Sequence, residues 1–153
     1  LDPSAPGDMI VGLGYENGKA IGAVEYLEPR KKWVFMPTSP ELKFSKAVRK
    51  HNKNLLDSCP LDSVVSYEVL NPIDNYFKLM SLLNRLTLDS KPILLPFGPK
   101  IFFAVCLLIG IVFEDVAIWD VHDNSDVTTN LKRPSDHNIL LSCLIKPGSE
   151  SEA

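Results

Sequence analysis

A chain of 153 residues with 45% hydrophobic and 23% charged side chains is long enough for one domain with a real core. Its formal net charge of −3 and pI near 5.6 exclude the basic surface of general nucleic-acid binding, while a small anion held by local groups stays compatible. Three cysteines, Cys59, Cys106 and Cys143, are odd in number and far apart, which excludes a disulfide framework or zinc site and fits a reducing cytoplasm.

Strand and helix signals alternate along the chain. Residues 1–8 are polar and turn-rich, with no secretory signal, and read as a disordered leader or a vector-derived scar on a piece of a longer protein. Residues 9–145 then form a single domain, and residues 146–153 a disordered tail. Met9 to Leu13 is the first strand, followed by the turn Gly14-Tyr15-Glu16-Asn17-Gly18. Lys19 to Leu27 is the first helix, with Ile21, Val24 and Leu27 on one stripe. The second strand, Trp33 to Met36, ends at Pro37-Thr38-Ser39-Pro40. A second helix over Glu41 to Asp57 turns Leu42, Val48, Leu55 and Leu56 inward, and its basic face (Lys43, Lys46, Arg49, Lys50, Lys53) reads as solvated surface.

Val64 to Val69 is the third strand. Asn71-Pro72 then marks a helix start, a cap followed by proline at the first helical position. The third helix covers Ile73 to Leu86, with Phe77, Met80, Leu83 and Leu86 as its core stripe. Ile93 to Leu95 is the fourth strand and Phe97-Gly98-Pro99-Lys100 the turn after it. Ile101 to Phe113 is thirteen apolar or small residues in a row, too short to span a bilayer, which needs about 20. A helix apolar on every face is expected to be buried between layers. Val116 to Trp119 is the fifth strand, Val121 to Asp136 is irregular, and Asn138 to Ile145 could add an antiparallel edge strand.

Buried strands separated by helices through right-handed crossovers predict an α/β, Rossmann-like three-layer sandwich. Its sheet is mostly parallel, five- to six-stranded, in the order 3-2-1-4-5. In that order strands one and four are neighbours whose crossovers leave to opposite faces, opening a crevice at the C-terminal strand ends. Gly14, Tyr15, Glu16, Asn17 and Gly18 would then lie across from Gly98, Pro99 and Lys100. Both turns lead into helix N-termini, whose free N–H groups attract anions. Glu16 would repel a phosphate but could accept hydrogen bonds from a ribose hydroxyl or a base amine. Tyr15 and Asn17 could stack on and hydrogen-bond a base. Thr38, Ser39 and Asn71 lie along the same rim, where helix capping is the competing explanation. Lys100 reads equally as an anion contact or a solvated lysine.

The case for chemistry is weaker. Gly12-Leu13-Gly14 supplies two glycines of the dinucleotide fingerprint, with Asn17 in place of the third, and no P-loop or nucleophile elbow is present. Asp120 and His122 sit two apart and could form part of a general-base dyad. No cluster has metal-ligand spacing, so neither metal nor cofactor is expected. The spacing Gly14-x3-Gly18-x3-Gly22 predicts close packing of the first helix on the sheet.

From Met9 to His122 the pattern resembles the CRISPR-associated Rossmann-fold (CARF) domains and the related SAVED sensors. The resemblance rests on a strand running into Leu13-Gly14-Tyr15-Glu16-Asn17, a strand ending near Thr38, and Gly98-Pro99-Lys100 ahead of a small, apolar helix. It implies a cytoplasmic sensor of antiviral defence, binding a cyclic oligonucleotide across a homodimer axis and acting on a linked or partner effector. Gly14, Tyr15, Asn17, Thr38, Gly98 and Lys100 would contact the ligand. The chain departs from the family's Ser/Thr-Pro first loop and its Gly-Gly-Thr-Lys turn. Three functions therefore compete: a sensor for a nucleotide or other phosphorylated small molecule, a phosphodiesterase or transferase using Glu16, Lys100, Asp120 or His122, and a scaffold domain of a larger protein.

Overall fold

Every residue of the first strand, β1 (Asp8–Gly12), is buried, and that decides its place in the sheet. A strand apolar on both faces needs a layer above and a layer below, which only a central position supplies. The structure, a computed structural model, describes residues 7–121 together with Ser142 and Leu144. In it β1 lies at the centre of an all-parallel, five-stranded sheet with β2 (Lys31–Thr38), β3 (Val64–Glu68), β4 (Ile93–Pro96) and β5 (Ala117–Ile118). The order is β3-β2-β1-β4-β5, the Rossmann-like arrangement expected. The expected edge strand over 138–145 lies outside the described residues, apart from Ser142 and Leu144, which carry no regular structure.

The helices divide between the two faces. Met9, Val11, Leu13, Val34, Met36 and Leu95 pack against α1 (Lys19–Leu27), α2 (Leu42–His51) and α3 (Lys53–Asp57) through Ala20, Val24, Val48 and Leu55. Ile10, Phe35, Tyr67 and Leu94 point the other way, onto α4 (Pro72–Leu86) and α5 (Lys100–Val112). Cys106 is a buried thiol in that second layer, as expected of a small core residue, and burial pushes its pKa well above the usual thiol range. No helix among the described residues is long and apolar enough to cross a membrane.

Four local expectations change. The helix expected over 41–57 breaks at Asn52, whose φ of −110° and ψ of 19° leave the helical region. On α4 the buried stripe is Asn75, Leu79, Leu82, Leu83 and Leu86, and Phe77 is 54% exposed. Phe77 lies two residues from Asn75 and Leu79, hence on the opposite side of the helix. Leu42 of α2 is likewise exposed rather than inward. On α5, Phe102, Val105, Cys106 and Ile109 are buried, whereas Leu107, Ile111 and Val112 are 49%, 56% and 58% exposed. The helix rests on the end of the sheet at β4 and β5 and against α4, so nothing among the described residues covers its outer side.

The glycine spacing also acts elsewhere than expected. A Cβ on Gly22 would meet nothing within 4 Å, so α1 does not use it for close approach. Gly110 does that work on α5, where a Cβ would stand 2.8 Å from Cδ1 of Ile118. Asn71 caps α4 as the sequence suggests, its Oδ1 accepting the Asp74 N–H at 3.1 Å.

The lower end of β1 is tied by charge. Asp8 is buried, and its carboxylate accepts from Arg30 Nε at 3.2 Å, Arg30 Nη2 at 3.3 Å and Ser90 Oγ at 3.1 Å. Arg30 is partly exposed and can rehydrate, whereas Asp8 cannot. Arg30→Met should therefore destabilise the fold more than Asp8→Asn, by stranding a buried carboxylate. Asp8→Asn should cost about 1 kcal/mol. Urea midpoints at constant m-value check the order, and the reverse order would contradict it.

Candidate functional site

The neighbouring strands β1 and β4 run in register, Gly12 beside Pro96, and their chains then leave toward opposite layers. At the point of divergence the two main chains touch. A Cβ at Gly14 would overlap the Phe97 carbonyl oxygen, and one at Gly98 would lie 3.0 Å from the Leu13 carbonyl oxygen. The absence of side chains at these two positions is what allows the contact. The sequence-predicted turns are thus brought together, with the α1 N-terminus on one side and the α5 N-terminus on the other.

The first turn is held from α2. Asn52 is buried, and its Nδ2 donates to the Gly14 carbonyl at 2.9 Å and to the Val48 carbonyl at 2.8 Å. Those bonds account for the helix break: leaving helical geometry lets one side chain reach across to the turn. His51 Nδ1 hydrogen-bonds the Tyr15 carbonyl. The Tyr15 ring meets Phe44 edge-on at 6.1 Å between centroids, and both rings are partly exposed on the rim. Partial burial, with Glu41 nearby, raises the Tyr15 hydroxyl pKa above the ordinary phenol value.

Glu16 turns back on its own helix, its Oε2 lying 2.9 Å from Lys19 Nζ. Lys19 also stands 5.0 Å from the centroid of the Phe97 ring, so its cation spans the two turns. Asn17 and Gly18 are exposed, and Gly18 forms the α1 N-cap at φ 80°, a conformation that suits glycine. Neither α1 nor α5 has a side-chain cap at its N-terminus. Pro99 occupies the α5 cap position, and Lys100 follows at the first helical position, exposed and without an ion pair among the described residues. The N–H groups of Lys100 and Ile101 have no helical carbonyl upstream.

Thr38 and Ser39 are turned to other work. Thr38 Oγ1 donates to the Tyr67 carbonyl at 2.9 Å, tying β2 to β3. Ser39 Oγ accepts from the Glu41 N–H at 3.3 Å, while the Ser39 N–H donates to Ser45 Oγ at 3.0 Å. Asp120 lies exposed just past β5, and His122 lies outside the described residues. No group of three His, Cys, Asp or Glu among the described residues could hold a metal ion.

Five residues here are not singled out by the sequence: Lys19, Phe44, His51, Asn52 and Tyr67. The Glu16-to-Lys19 spacing could have suggested the ion pair, but not its reach to Phe97. Tyr67 is fully buried, stacked on Phe102 at 5.2 Å and tilted against Phe35 at 6.3 Å. Its Oη stands 3.2 Å from where a Gly98 Cβ would be, beneath the turn that opens α5. That Oη has no hydrogen-bond partner among the described residues. Burial pushes its pKa far above the phenol range, so the group stays protonated and can donate. The edge therefore collects donors: main-chain N–H groups of two helices, two lysines and one buried hydroxyl.

No protein-family model matches the chain, and no curated protein matches it significantly.

Gly14→Ala should force the β1 and β4 turns apart and cost about 1–3 kcal/mol, since the obstruction is main chain. Gly22→Ala, with open space and a helix-interior position, should gain about 0.5–1 kcal/mol. Chemical denaturation of the pair checks both signs.

Proposed function

We propose that the chain is a ligand-sensing Rossmann-like domain that binds a nucleotide, or a similar phosphorylated small molecule, where β1 and β4 end. The observation that carries this reading is the main-chain contact between the Gly14 and Gly98 turns. It leaves two uncapped helix N-termini flanking one spot at the switch point of the sheet. Lys100 sits in the first turn of α5, where a cation opposes the helix dipole unless an anion shares the site. Tyr15 and Phe44 add an exposed aromatic rim suited to stacking on a base. The surroundings offer donors and planar surface, which suits binding without chemistry. A cyclic oligonucleotide second messenger, a role in cytoplasmic antiviral defence and an effector as output follow from the resemblance to CARF and SAVED domains and belong to this proposal.

The outer face of α5 favours a second reading, an interaction domain. Leu107, Ile111 and Val112 leave an apolar strip in water, and a homodimer or a linked effector would cover it. Leu107→Asp should abolish self-association in sedimentation velocity while leaving the fold intact. Unchanged sedimentation would remove the dimer.

A thermal-shift panel of cyclic and linear nucleotides tests the sensor. A ligand at a hundredfold its Kd should stabilise the protein by about 2.7 kcal/mol. Lys100→Ala should weaken binding with little change in the Tm of the free protein. Equal affinity of variant and wild type would count against the proposal.

A further inference from the structure

Among the described residues, three side chains facing the α4–α5 layer hold buried polar atoms without hydrogen bonds: Trp33, whose Nε1 lies farther down β2 beside Ile10, and two at the C-terminal edge. Tyr67 Oη is one, and Asn75 on α4, 1% exposed, is the other, with neither Nδ2 nor Oδ1 partnered. Asn75 stands one turn above Leu79 on the buried stripe of α4, close to the helix start at Pro72 and therefore at the C-terminal edge of the sheet. Tyr67, near the end of β3, points into the same layer and reaches Gly98 at the opening of α5. Both orphans thus lie where α4 and α5 begin. Buried polar groups are partnered as a rule, and at this edge three atoms on β3 and α4 are not, apart from Trp33 Nε1 lower in the sheet.

Resting on the nucleotide-binding reading above, we infer that Tyr67 and Asn75 receive the uncharged, donor-and-acceptor part of the ligand, a ribose hydroxyl or the edge of a base. The chemistry of the orphans selects that class. Tyr67 Oη and Asn75 Nδ2 donate, and Asn75 Oδ1 accepts. A fully ionised phosphate has only acceptors and would leave Oδ1 unmet. A hydroxyl or an amide-like base edge offers both roles, as the orphans require. The anionic part of the ligand then falls to Lys100 and the N–H groups opening α5. Both orphan side chains are closed to solvent in the free protein, so binding has to displace the packing around the Gly98 turn.

Tyr67→Phe and Asn75→Leu test this against AMP and cyclic di-AMP, with 2′-deoxy-AMP and IMP as analogue arms. Each variant removes an unpartnered buried polar group at nearly constant volume, so the free protein should melt no lower than wild type. Binding of the nucleotide that stabilises wild type should fall at least tenfold in each. If the ribose is read, the 2′-deoxy analogue loses affinity for wild type and no more for the variants. If the base is read, IMP behaves that way instead. Should Asn75→Leu fail to fold, Tyr67→Phe alone decides. Undiminished nucleotide binding by the variants overturns the inference and leaves the sensor standing. A Tm several degrees lower in Tyr67→Phe also overturns it, because the hydroxyl then has an internal partner. If no nucleotide binds wild type, the sensor and the inference fall together.

Discussion

Main-chain contact between the turns after β1 and β4 is the constraint on which the rest of the arrangement depends. Gly14 lies against the Phe97 carbonyl and Gly98 against the Leu13 carbonyl. Parallel register delivers both chains to the same height, and the opposite faces of the sheet then draw them apart. The N-termini of α1 and α5 consequently flank a single spot instead of two edges of the sheet. Other features fix that spot from outside. Asn52 clamps the Gly14 carbonyl from the α2–α3 break, and Phe102 fills the space that a side chain at Gly12 would need. At the far end of β1, Asp8 is held by Arg30 and Ser90. A buried central strand fixed at both ends is a stiff base for two turns that must meet.

The topology was legible because it rests on signals local to each segment. Short apolar runs, glycine turns and the Asn71-Pro72 start are sufficient for strands, crossovers and order. What could not be read is whatever depends on a distant neighbour. Asn52 looks like any polar residue on a helix, and only the Gly14 carbonyl gives it a reason to break one. The α4 sequence carries apolar residues on more than one side, and the stripe expected through Phe77 gives way to one through Leu79 where the helix meets β3 and α5. Uniform apolarity in α5 predicts burial, yet the end of a sheet offers cover on one side only. Pro37 reads as a strand end, but β2 continues to Thr38 because β3 still pairs with it, Pro37 beside Tyr67 and Thr38 beside Glu68, while the last β1–β2 pair is Gly12 with Phe35. At Pro37 the missing N–H removes no rung of that ladder. The two turns are expected to meet and do, whereas the place of Tyr67 beneath them is not expected, since the burial of a hydroxyl leaves no mark in sequence.

Charge is distributed unevenly across the two turns. On the α1 side Lys19 is paired with Glu16, and on the α5 side Lys100 has no acidic partner among the described residues. Pairs of that kind, with one member well exposed, contribute about 0–1 kcal/mol. Glu16 therefore lowers the local positive potential more than it fixes the structure, and an incoming anion can compete with it for Lys19. Neutral on one side and cationic on the other, the edge suits a ligand whose charge lies at one end.

Two buried asparagines show how far stability alone explains these residues. Asn52 donates twice to main-chain carbonyls, and its presence follows from the turn it holds. Among the described residues Asn75, equally buried, makes no side-chain hydrogen bond, and the Tyr67 hydroxyl makes none either. Each unmet group costs about 1–3 kcal/mol relative to an apolar residue of the same shape. Against a net stability of about 5–15 kcal/mol for an ordinary domain, two such groups are a large fraction. Leucine and phenylalanine would fill the same space at no such cost, and the adjoining core is built from those residues: Leu79, Leu83, Phe35 and Phe102. Packing therefore accounts for the size of Asn75 and Tyr67 but not for their polarity. Their polarity is what the ligand inferred above would meet, and Tyr67 lies against Gly98 at the opening of α5.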